Sequence, residues 1–180
     1  FSYDLDRAGA APVKVAKKWK TTANLSGRRE VWILTRSRLA HFDPVTGIPS
    51  RSVRVPYAVL PTEPILGDGF AITRYGHEGL CRISMSSGKK KWRFRSGEGP
   101  ISFALNKHGS AGGIGSSLLK KRRLFVPAPD GNLYLLDART GRELERVVVG
   151  VPLVSSPLTR RGDLFVADYG GGVHAFSLGK

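Results

Sequence analysis

Four times along this 180-residue chain, a pair of hydroxyl residues or a Thr-Glu-Pro step is followed by an apolar run, a polar turn, a second apolar run and an Asp- or Ser-led turn. The last copy reads Ser155-Ser156-Pro157, Leu164-Phe165-Val166-Ala167, a Gly turn at 170 to 172, then Val173-His174-Ala175-Phe176-Ser177. The copy before it reads Ser116-Ser117, Leu124-Phe125-Val126, Asp130-Gly131-Asn132, Leu133-Tyr134-Leu135-Leu136 and Asp137-Ala138-Arg139-Thr140-Gly141. Earlier copies begin at Thr62 and Thr21 and reach their turns at Ser84 and Asp43. The interval from start to turn is 21 or 22 residues each time. A register held that closely marks one supersecondary unit stacked several times.

The runs are short and rich in Val, Ile, Leu, Phe and Tyr, and Gly, Asp, Asn or Pro separates them, which is the signal for strands joined by tight turns. Four antiparallel strands are expected per copy. The starts are 41, 54 and 39 residues apart, a spacing suited to propeller blades of roughly 40 to 50 residues and too long for a leucine-rich repeat. The fold class is therefore all-β, a β-propeller-like array of about four antiparallel blades, either partial or completed by another chain. Residues 1–180 form a single domain with blades near 13–60, 61–99, 114–150 and 151–180. A Gly- and Ser-rich insertion loop at 98–113 accounts for the long interval.

Leu135-Leu136-Asp137-Ala138-Arg139-Thr140-Gly141 and Ser84-Met85-Ser86-Ser87-Gly88-Lys89-Lys90-Lys91-Trp92 resemble the PQQ-like, quinoprotein-type β-propeller repeat. In that pattern an Ala-x-Asp-x-x-x-Gly phrase precedes a Trp that docks between blades. The resemblance implies that Trp92 is largely buried where two blades meet. Arg51 and Glu145 stand at the equivalent positions of two other copies. The Asp-x-x-Thr-Gly turn has a local cause, since Asp accepts N–H bonds from the residues just ahead and Gly tolerates positive φ. A metal-binding role for that carboxylate is the rarer alternative.

Catalytic patterns are weak. Enzymes of the resembled family hold PQQ with calcium, a catalytic Asp and commonly a vicinal Cys pair, but Cys81 is the only cysteine, and four blades cannot surround a cofactor that sits inside a ring of eight. No cofactor or metal is expected. His41 and His174 fall on inner strands, where a His satisfied by a backbone partner is far commoner than a ligand or base, and His77 and His108 fall in loops. The glycines from 109 to 115 lack the Gly-Lys-Ser/Thr of a phosphate loop and lead into a strand. No run approaches the roughly 18 apolar residues of a membrane-spanning helix. The chain starts at Phe1, so a processed, truncated or incomplete form is expected.

Charge is more informative. Twenty-nine Lys and Arg against 14 Asp and Glu give a formal +15, which attracts an anionic partner. In a four-stranded antiparallel blade, the turns after the first and third strands emerge on one face. Arg28, Arg29, Lys120, Lys121, Arg122, Arg123, Arg160 and Arg161 occupy the first of these turns in three copies, and Lys89, Lys90 and Lys91 occupy the second. These eleven residues are the candidate partner-binding set. Lys and Arg kept only for solubility would need no such phase.

The expected function is a noncatalytic scaffold or accessory subunit, similar in repeat type to the propeller lipoprotein of the bacterial outer-membrane assembly machinery. It would dock on an acidic protein surface or an anionic membrane complex, with a second propeller-forming chain as a further partner. By resemblance the location is extracytoplasmic or periplasmic. The alternatives are a fragment or subunit of a PQQ-dependent quinoprotein dehydrogenase and a nucleic-acid-binding ribonucleoprotein component. Nucleic acid is the weaker partner, because aromatic residues do not interleave with the basic turns as stacking platforms would require.

Overall fold

The computed structural model describes residues 21–27, 30–35, 38–43, 46–55, 64–75, 79–97 and 116–178. Fifteen strands and no helix are found among them, arranged as four antiparallel sheets in sequence order. The first sheet holds β1 (Thr21–Gly27), β2 (Glu30–Thr35), β3 (Arg38–Phe42) and β4 (Pro49–Arg54). The second holds β5 (Ile65–Gly67), β6 (Phe70–Tyr75), β7 (Gly79–Ser84) and β8 (Lys90–Phe94). The third holds β9 (Leu118–Lys120), β10 (Arg123–Pro127), β11 (Asn132–Asp137) and β12 (Glu143–Val148). The fourth holds β13 (Leu158–Arg160), β14 (Asp163–Ala167) and β15 (Val173–Ser177) among the described residues.

Strand pairing repeats the sequence register. Phe70 faces Ser84, Arg123 faces Asp137 and Asp163 faces Ser177, each joining the start of a second strand to the end of a third. Each sheet is a four-blade-array unit, and its apolar positions pack against neighbouring sheets rather than into one central core. Trp32, Leu39, Ala71, Cys81 and Ile83 fill the first sheet-to-sheet layer. Ile72, Leu80, Leu124, Val126 and Leu136 fill the second. Phe125, Leu133, Leu153, Leu164 and Val166 fill the third. Strands β6 and β10 are buried on both faces for this reason, whereas the outermost β4 and β12 are exposed along most of their length. The chain is a partial β-propeller.

Turns after the third strands are built by their own side chains. Asp137 Oδ1 accepts from Thr140 N–H at 2.8 Å, Thr140 Oγ1 at 2.9 Å and Arg139 N–H at 3.0 Å, while Gly141 takes φ 74°. In the first sheet, Asp43 Oδ1 accepts from Thr46 N–H at 2.7 Å and Gly47 takes φ 67°. The bonds from Thr140 hold the Asp137 carboxyl down to about 2, with Arg122 adding a smaller pull. A carboxyl depressed in the folded state stabilises the fold above its ordinary range, and this contribution disappears as pH falls through about 2. Asp137→Ala should therefore cost about 1 to 2 kcal/mol at pH 7. The gap between variant and parent should close toward pH 2, as read by chemical denaturation across that range.

Trp92 links the second and third sheets. Its Nε1 donates to Ala138 O at 3.1 Å, and its ring covers Gly141 so closely that a Cβ there would lie 2.6 Å from Cδ2. The indole is partly exposed at the outermost strand and packs against the second sheet-to-sheet layer. Arg51, at the equivalent place in the first sheet, reaches the same turn of the second, with Nη2 3.5 Å from Ser86 O. The docking position thus keeps its direction although only one copy carries the aromatic ring.

Candidate functional site

The turns after the first and third strands meet on one rim of each sheet. Met85 N–H donates to Gly69 O at 3.0 Å, Ala138 N–H to Arg122 O at 2.8 Å and Leu178 N–H to Gly162 O at 3.0 Å. Contacts between sheets keep these rims in line: Arg82 Nη1 donates to Arg139 O at 3.0 Å beside the Trp92 bond to Ala138 O. A continuous edge therefore runs from the turn ending at Lys89 through Lys121 and Arg122 to Arg161.

All nine described members of the candidate set are exposed. Lys89 closes the turn of the second sheet, and Lys90 and Lys91 continue into β8. Lys121 and Arg122 form the turn of the third sheet, with Lys120 and Arg123 paired across its base. Arg160 and Arg161 end β13 and enter the turn of the fourth. Arg28 and Arg29 lie outside the described residues. Arg142, which the repeat places just after the same turn, and Arg139 are both exposed on this rim; Arg139 was missed because the repeat assigns it to the structural Asp-turn phrase. Arg122 Nη2 lies 3.1 Å from Asp137 Oδ2, an exposed pair that leaves most of the guanidinium in solvent.

Two of these basic residues hold strained backbone. Lys121 at φ 57° and Arg161 at φ 52° are the non-glycine residues of positive φ among those described, and both stand in the turn after a first strand. The second sheet uses Gly69, at φ 69°, in the corresponding turn. A side chain in the left-handed region costs about 1 to 2 kcal/mol where glycine costs none. Strain recurring at one structural place points to a use for the side chain that carries it.

The opposite rim carries the exposed Arg38 and Arg54 of the first sheet and two internally bonded carboxylates, Asp130 and Asp168. Asp130 accepts from Tyr134 Oη at 2.5 Å, Gly97 N–H at 2.7 Å and Asn132 N–H at 3.1 Å. Burial first, and then the Asp130 carboxylate, push the Tyr134 phenol up. Asp168 is bonded to His174 Nε2 at 2.7 Å and accepts from Gly172 N–H at 2.8 Å, which together hold its carboxyl below the usual range. His174 is thus satisfied by a carboxylate rather than by backbone. His41 Nδ1 lies 2.6 Å from Ser50 Oγ, and its ring rests on Trp32 with centroids 4.9 Å apart. His77 and His108 lie outside the described residues, as does the 98–113 insertion. Among the described residues no three His, Cys, Asp or Glu side chains come together to hold a metal.

The sequence profile described as outer membrane protein assembly factor BamB matches residues 77–180. None of the curated protein sequences matches. Among solved structures, BamB from Moraxella catarrhalis is similar at TM-score 0.62 and 20% identity, over 83% of this chain and 43% of that one. The computationally designed Ika4 protein is similar at TM-score 0.67 and 14% identity, over 96% of this chain and all of Ika4. The quinohemoprotein alcohol dehydrogenase ADHIIG from Pseudomonas putida HK5 is similar at TM-score 0.50 and 19% identity, over 65% of this chain and 19% of that one. The chain spans less than half the length of the BamB structure.

Proposed function

Because the chain belongs to the family described as outer membrane protein assembly factor BamB, we propose that it is a noncatalytic propeller scaffold. It docks through its basic rim on an acidic surface of a larger, membrane-associated complex, and it works outside the cytoplasm. The observation that carries this reading is the rim itself: exposed Lys and Arg recur at one turn of successive sheets, two of them at positive φ where glycine would be the cheaper choice. Asp43 and Asp137 reach that rim too, where Asp137 pairs with Arg122 and offsets part of its charge, yet the basic residues outnumber them. An acidic partner would be steered to this edge and held there by many weak pairs, each worth about 0 to 1 kcal/mol.

Reversal of Arg122, Arg123, Arg160 and Arg161 to Glu tests it. Each reversal removes two charges, so the formal +15 falls by eight to +7. The quadruple variant should lose its native assembly on co-purification while keeping the parent's circular dichroism. The parent's association should weaken as salt rises from about 50 to 500 mM. Retention of the assembly at normal stoichiometry by the variant would end the docking-rim reading. Salt-sensitive binding to RNA or DNA that exceeds binding to the assembly would favour the nucleic-acid alternative instead. A redox absorbance on addition of PQQ and calcium would favour the dehydrogenase alternative.

A further inference from the structure

Arg74 is the buried cation among the described residues, with 8% of its surface exposed. It stands near the end of β6, on the face that Ile72 turns toward the third sheet. Its Nη2 donates to Pro127 O at 2.9 Å, and its Nε–H is buried without a partner. A carbonyl neutralises no charge, and a buried cation held only by neutral groups is costly. Burial pulls the guanidinium down to about 10, so it is still charged at pH 7. Across the junction Ser117 leads into β9, and alternation along an extended segment puts it on the same face as Leu119, which packs on the layer of Ile72 and Leu80. Ser117 Oγ is likewise buried without a partner. The chain is fixed at this entry, because Ser116 N–H donates to Ser156 Oγ at 2.9 Å. Arg74 and Ser117 line one pocket of about 10 Å³ with Ile65, Ile72, Leu80 and Ser116, and no carboxylate stands on its lining.

We propose that Arg74 and Ser117 bind one monoatomic anion of chloride size in this pocket, between the second and third sheets. Size and chemistry both select it. A site of roughly 10 to 15 Å³ admits a single water-sized sphere, so one small ion fits and a tetrahedral oxyanion does not. The guanidinium N–H can only donate, and the serine hydroxyl has a proton to give. A water would satisfy a hydrogen bond but leave the buried charge uncompensated, whereas an anion does both. The ion would tie β6 to the entry of β9, so its binding favours the folded chain by mass action. This site lies away from the basic rim and does not depend on the docking reading.

The test is chloride NMR line broadening by the full 180-residue chain, with chloride exchanged for gluconate at constant ionic strength and urea denaturation followed in the same buffers. Broadening should saturate, and the urea midpoint should rise over the same range of chloride. Sulfate should not displace the ion. Ser117→Ala should raise the half-saturating chloride concentration by about tenfold, the loss of one hydrogen bond to a charged group. Arg74→Met should abolish both responses, and Ser117→Ala decides the matter if that variant does not fold. Reversal of Arg122, Arg123, Arg160 and Arg161 to Glu should leave both responses intact, which keeps this site separate from the rim. A urea midpoint indifferent to chloride would overturn the proposal and leave the pocket to a water. So would a half-saturating concentration unchanged in Ser117→Ala, or saturable broadening lost in the rim variant, which would assign the anion to the exposed arginines.

Discussion

Trp92→Ala should lower the stability of the fold by about 3 kcal/mol, at the low end for a tryptophan truncation because the ring keeps some contact with solvent. Two losses contribute: the packing of the indole on Gly141 and the side of the second sheet-to-sheet layer, and the bond from Nε1 to Ala138 O. Trp92→Phe keeps most of the first and loses the second, so it should cost about 1 kcal/mol. For a chain of this length, each kilocalorie moves the melting midpoint by roughly 2 to 4 °C. The alanine variant should then melt about 6 to 12 °C below the parent. A midpoint unchanged within 1 or 2 °C would show that the second and third sheets do not depend on this contact.

Gly141→Ala should cost about 2 to 5 kcal/mol, from two separable sources. Its φ of 74° puts any side chain in the left-handed region, worth about 1 to 2 kcal/mol. The added Cβ would also lie 2.6 to 2.9 Å from three atoms of the Trp92 ring, and forcing apart a packed contact adds about 1 to 3 kcal/mol. In a Trp92→Ala background the second source vanishes, leaving only the backbone cost. The double variant should therefore be more stable than the sum of the singles predicts, by an amount equal to the steric part. Strict additivity in urea denaturation would mean that the two residues do not meet.

These two positions also measure how far the sequence could be read. The Asp-x-x-Thr-Gly phrase specifies its own turn, because the bonds that Asp137 Oδ1 accepts all come from residues 139 and 140. The register of 21 or 22 residues likewise identifies the first sheet, although the BamB profile begins only at residue 77. What Trp92 touches is 46 residues away in sequence, so the phrase around it predicts a docking role but not how much of the ring is covered. The equivalence of Arg51 with Trp92 was visible as a missing tryptophan; its reach toward Ser86 O appears only when two sheets are side by side. Arg139 was overlooked for a similar reason, since a turn phrase shows its bonding residues and not which others face outward.

Local chemistry alone determined the all-β class, the four repeated sheets, the turns and the phase of the basic residues. Each of these depends on alternation, turn propensity or a bond between near neighbours, all of which are written along the chain. Tertiary structure decided that the turns of the second and third sheets line up, and that Lys121 and Arg161 carry positive φ. Those features arise from how twisted sheets stack side by side, which no single repeat encodes.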